Sequence, residues 1–162
     1  MRSFSNLWYW IMLAVMWSSA SHWVLGVPFD MIMRARRHGE AAQADLETIV
    51  RINSGRLLNI ARVSGLWLIG FLCFMLTALA VLGFHYKMEF ARAVLFLLVP
   101  LSLLMGLSIR SAGFIEAGEG QGAALQRRLS RHRLATQLLG MTSIFVTSLY
   151  GMWENMHISV LG

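Results

Sequence analysis

Four stretches of this chain contain no Asp, Glu, Lys or Arg: residues 6–29, 63–86, 93–109 and 134–153. Each is close to the 17–25 residues with which a helix crosses roughly 30 Å of hydrocarbon. Lipid offers the backbone no water to bond, and a helix satisfies its own N–H and C=O groups within one segment. The expected architecture is therefore all-α: an integral membrane four-helix bundle of two helical hairpins. Its spans fall at about 6–27, 64–86, 89–110 and 134–155, and residues 1–162 form a single transmembrane domain. Composition supports this. Charged residues are 14% of the chain, against roughly 25% in soluble domains, too few to cover a soluble surface. The first stretch could be taken for a cleaved leader, with Ser18-Ser19-Ala20 as the cleavage site. Its aromatic residues (Trp8, Tyr9, Trp10, Trp17, Trp23) and its continuation to Val27 favour a retained helix.

Orientation follows from the cations. Arg34, Arg36, Arg37, Arg51, Arg56 and Arg62 fall in the connection 28–63. Arg127, Arg128, Arg131 and Arg133 fall in 111–133, with Arg110 at its edge. Only Arg2, Lys87 and Arg92 remain for the other side. Positive charge marks cytoplasmic connections, so both termini and the turn near 86–92 are expected outside. Arg34, Arg36, Arg37, Arg127, Arg128, Arg131 and Arg133 would form a basic collar facing lipid phosphates. The net charge of +6 is then a topology signal, and nucleic acid is not an expected partner. Thirteen arginines against one lysine suggest a GC-rich coding sequence and hence a bacterial inner membrane.

The connection 28–63 is more than a linker. Pro28 opens "PFDMIMRARR", which could carry helix 1 into the cytoplasm until Gly39. Beyond it, Ala42, Leu46, Ile49, Asn53, Leu57 and Ile60 recur at three- and four-residue steps, one face of an amphipathic helix. That helix would lie on the membrane, dock a partner or run into helix 2, with a break near Ser54-Gly55. In the second connection "EAGEGQGAA" reads as a flexible loop and "LQRRLSRHR" as a basic start to helix 4.

In lipid, helices associate through close packing and interhelical hydrogen bonds, which favours small residues at the seams. Ala14, Ser18, His22 and Gly26 are four apart on helix 1, and Ser143, Thr147 and Gly151 repeat the pattern on helix 4. Both stripes are expected to be packing seams. Helix 2 offers Cys73, Thr77 and Ala80, and helix 3 Ser102 and Gly106. Pro100 removes a backbone donor and is expected to kink helix 3. Cys73 is the only cysteine, so no internal disulfide can form.

An ionisable group within a span is a functional candidate, and His22 is the foremost. It could be a neutral histidine bonded to Ser18 or a facing helix, a haem or metal ligand, or a proton relay. His85 and His157 lie at the outer ends of helices 2 and 4. With Glu154 they could clamp haem b or hold a metal ion; with Tyr86 and Trp153 they could simply anchor the helices at the interface. Neither HExxH nor CxxCH occurs, so motif spacing points to no dedicated metal site and no catalytic residues.

The short four-span plan, with an Arg-rich inner loop after a first helix bearing Trp17 and His22, resembles the small haem-associated membrane proteins related to copper-resistance D proteins and protoporphyrinogen oxidase. The resemblance is one of architecture and implies a four-helix membrane bundle. In that family the histidine precedes a tryptophan early in the helix; here His22 follows Trp17. The expected role is a non-catalytic accessory or assembly subunit of a larger membrane complex, with other membrane subunits or a second copy as partners. The alternatives are a haem b or redox-linked membrane protein, and a small transporter or channel component.

Overall fold

The computed structural model describes residues 6–161, with side chains through His157; Arg2, assigned above to the outer side, lies outside the described residues. Five α-helices make up the described chain. Asn6 caps α1 (Leu7–His22) by accepting a hydrogen bond from Trp8 N–H at 3.1 Å. The helix then stops. Trp23–Val24 (β1) and Val27–Pro28 (β2) pair as a minimal antiparallel hairpin, with Trp23 opposite Pro28 and Val24 opposite Val27. Both turn residues have positive φ, Leu25 at 51° and Gly26 at 74°, as a tight hairpin turn of this hand requires. Helix 1 therefore does not continue to residue 27 or into α2 (Phe29–Arg37).

After Gly39, α3 runs unbroken from Glu40 to Ala80 and ends in a π-helical segment, Val81–His85. No break occurs at Ser54-Gly55, so the amphipathic segment and helix 2 are one helix. Its buried residues are Leu46, Val50, Ser54 and Leu58, a stripe of strict four-residue steps beside the expected face. Of that face Leu46 is buried, Asn53 and Leu57 are half-buried, and Ile60 is exposed. α4 (Glu89–Phe114) continues through Pro100 without interruption and ends in a second π-helical segment, Ile115–Glu119. The Gly-rich stretch is thus a compact turn rather than a loop, and α5 (Gly122–Leu161) follows directly.

Burial divides the molecule into two zones. At one end Val24, Val27, Ile32, Ala35, Leu46, Val50, Ile115, Leu125 and Leu129 form a dry core shared by the hairpin, α2 and the near halves of α3 and α5. These residues belong to the two connections and the hairpin between helix 1 and α2. The most apolar segment shows the opposite behaviour. None of the most hydropathic window of α3 is buried, and Leu66 and Trp67 are 89% and 84% exposed. Two helical stretches, Glu40–His85 and Glu89–Glu119, are long and apolar enough to cross a membrane. α1 has only 16 residues, or about 24 Å at 1.5 Å per residue. The apolar half of α5 is diluted by Thr136, Gln137, Thr142, Ser143, Thr147 and Ser148.

The seat of α1 on α5 depends on Gly140. A Cβ built there would lie 2.8 Å from the ring of Trp17, whose side chain is buried. Gly140→Ala is expected to lower stability by about 1–3 kcal/mol through overpacking. Gly106→Ala, where the added carbon meets nothing within 4 Å, should be neutral or gain up to about 1 kcal/mol from helix propensity. Thermal unfolding of the two variants in one detergent checks the contrast.

Candidate functional site

The side chains that face inward from α5 define the site. Leu125, Leu129, His132, Thr136, Gly140, Ser143, Thr147 and Gly151 are all buried and follow one another at three- and four-residue steps, a single helical face. Its chemistry changes along the helix. The leucines serve the dry core, and beyond them the stripe turns small and hydroxylic. Thr136 and Thr147 spend their hydroxyl hydrogens on the carbonyls of His132 and Ser143, at 2.9 and 2.7 Å. Ser143 Oγ and the neighbouring helix's Trp17 Nε1 are buried with no hydrogen-bond partner.

Of the two stripes expected as seams, Ser143, Thr147 and Gly151 are therefore buried, whereas Ala14, Ser18 and His22 are exposed and Gly26 stands in the hairpin turn. α1 packs through Leu13 and Trp17 instead. A helix that seats one large ring into a glycine notch turns its small face away.

His132 is the residue that sequence reasoning missed. It is 4% exposed, and its Nδ1 lies 3.0 Å from Ser111 Oγ on α4. Burial alone pushes its pKa below the ordinary imidazole value, because desolvation disfavours the charged ring. Set among Arg127, Arg128, Arg131 and Arg133, it reads as part of a basic surface. The four- and three-residue steps from Leu125 through Leu129 were the available signal.

His132 lines an open cleft of about 390 Å³ among the end of α1, the hairpin, α3, α4 and α5. Ala20, Trp23, Leu57 and Leu104 contribute apolar wall, and Asn53, Ser108 and His132 the polar groups. Asn53 Nδ2 donates to Gly26 O at 3.3 Å, holding the hairpin to α3.

Around this end lie the arginines. Arg36 donates to Ser130 Oγ at 2.7 Å. The guanidinium of Arg133 stands 3.7 Å from the ring centroid of Phe29, and that of Arg128 stands 4.2 Å from Phe114, cation–π contacts both. Arg128 also forks onto Glu119, which raises the arginine and lowers the carboxyl from their ordinary values. Arg34, Arg37, Arg127 and Arg131 are exposed, and Arg127 Nε donates to Ala123 O. The collar is thus part structural clamp and part free charge.

At the far end each histidine of the proposed pair lies beside an aromatic neighbour of its own. His85 is exposed beside Tyr86, and exposed His157 lies against Trp153, with ring centroids 4.4 Å apart. Glu154 is bound instead by Arg92, at 2.8 Å, and Arg92 also donates to Tyr150 Oη at 2.7 Å. His22 sits beside Trp23, near the opposite end. Among the described residues, no three His, Cys, Asp or Glu side chains gather where they could hold a metal ion.

One carboxylate ties the two long helices. Glu47 on α3 accepts from Gly122 N–H and from Gln43 Nε2, both at 2.8 Å, and Gln126 donates to Gln43 Oε1 at 2.6 Å. Glu47 thereby caps the first turn of α5 from outside it, satisfying a donor that the helix itself cannot. The Gln43 bond, followed by the Gly122 bond, holds the Glu47 carboxyl below its ordinary range.

Comparison with protein families, characterised proteins and solved structures finds no match to this chain.

Two outcomes are expected. A depressed carboxyl pKa stabilises the fold above the unfolded value of about 4.3 and loses that contribution as pH falls through the folded value. Amide protection at 122–125, relative to the intrinsic exchange rate at each pH, should therefore fall as the Glu47 carboxyl protonates below the ordinary carboxylate range. Glu47→Gln keeps an acceptor for Gly122, so its exchange should show no such step. Arg92 and Glu154 have side chains only 12% and 16% exposed. Glu154→Ala, leaving Arg92 without its carboxylate, should cost roughly 3 kcal/mol. The double variant Arg92→Met, Glu154→Leu should recover most of that in detergent unfolding.

Proposed function

We propose that this chain is a small multi-pass protein of a bacterial inner membrane, with four spans, the basic end in the cytoplasm and both termini outside. We infer that it serves as a non-catalytic accessory or assembly subunit of a larger membrane complex. Several features support the placement: the charge-free stretches, the asymmetry of the arginines, and an inverted pattern in which connections bury their apolar residues while the apolar windows leave theirs exposed. Lipid tails cover an exposed Leu66 or Trp67 at no cost; water does not.

The observation that carries the subunit role is the outward face of α1. Ala14, Ser18 and His22 are exposed, although a serine and a histidine facing hydrocarbon are costly without partners. A second membrane helix would approach closely over Ala14 and Ser18 and give His22 a hydrogen bond. Such small and polar faces are how spans recognise one another.

The tagged protein purified from membranes in a mild detergent should carry a discrete, reproducible set of membrane subunits. Ser18→Phe should strip that set away, and Phe74→Leu, on exposed α3, should retain it. A monodisperse monomer, pure and without partners, would remove the subunit role.

A further inference from the structure

The cavity beside His132 has a polar end and an apolar wall, and its chemistry is specific. Ser111 Oγ has one hydrogen to donate, and its one bond is to His132 Nδ1. If that hydrogen goes to Nδ1, the neutral ring carries its own proton on Nε2. The depressed pKa set by burial keeps the ring neutral at physiological pH. The other polar groups of the wall are partly committed: Ser108 Oγ donates to Leu104 O at 2.9 Å, and Asn53 Nδ2 to Gly26 O. In that tautomer Nε2–H joins the second N–H of Asn53 as a donor left to a ligand. Trp23, Ile60 and Met105 stand exposed at the rim, so an apolar stem can leave sideways along α3 and α4. At about 390 Å³ the space falls in the range of small-ligand sites and suits a ring or ester head rather than a whole lipid. No charged side chain lines it, which disfavours a phosphate or carboxylate.

We propose that this cavity binds the carbonyl head of an uncharged, membrane-soluble ligand on an apolar stem, with His132 Nε2–H as the donor that recognises the carbonyl oxygen. A quinone and a glyceride ester share that chemistry. The inference rests on the membrane placement proposed above, and alkaline extraction tests that placement separately: release of the chain into the soluble fraction would overturn it.

The ligand test uses the full-length protein in detergent, with Trp23 at the rim as reporter and Trp23→Phe as the blank. Decyl-ubiquinone should quench the Trp23 component saturably. His132→Phe should weaken that binding about tenfold, the loss of one hydrogen bond. Ala20→Phe, which fills the cleft from the end of α1 and leaves His132 itself unchanged, should abolish it and carries the test if the histidine variant does not fold. A saturable response to dioctanoylglycerol, with none to the quinone, would assign the site to an ester head. Membrane-extracted, folded protein that responds saturably to neither probe, or responds unchanged in the folded variants, would overturn the proposal.

Discussion

An unbroken helix of 41 residues is about 60 Å long, twice the hydrocarbon thickness of a bilayer, and the rest of the structure is arranged around α3. Its first half buries Leu46, Val50, Ser54 and Leu58 in the manner of a soluble helix. Its second half, from Val63 onward, buries almost nothing. The hairpin, α2 and the start of α5 exist as packing for that first half. They close a core on the half of the helix whose buried stripe is Leu46, Val50, Ser54 and Leu58.

α5 shows the same division in its composition rather than its exposure. Leucine fills the inward stripe where water must be excluded. Thr136, Gly140, Ser143, Thr147 and Gly151 fill it where backbones must come close. Threonine hydroxyls turned back to their own helix carbonyls let a polar residue line a tight seam without needing a partner across it. Trp17 occupies the notch that Gly140 leaves, so one aromatic ring fixes the approach of α1. That commitment turns Ser18 and His22 outward and makes them available to something other than this chain.

The all-α architecture and the two most apolar helices were legible because charge-free segments of this length leave a water-facing surface with nothing polar to cover it. The ends of helices were not legible. "WSSASHWVLGVP" holds no Gly or Pro until Gly26, so nothing local marks the stop at His22; the hairpin that ends α1 is stabilised by burial of Val24 and Val27 against distant residues. The same blind spot governed the histidines. His22 drew notice because its neighbours are apolar, yet it is exposed. His132 escaped notice because its neighbours are arginines, yet it is the buried one. Neighbours in sequence report the environment of a helix as a whole, whereas burial is decided by which side of it a residue occupies.

The bond from Gly122 N–H to Glu47 has a consequence for the order in which the chain assembles. A helix start with an unsatisfied donor frays, and this one is completed by a side chain 75 residues earlier. Glu47 emerges from the ribosome well before Gly122. The last helix therefore acquires a firm beginning only when it reaches α3, and its ordering is a local signature that the two halves of the molecule have found each other.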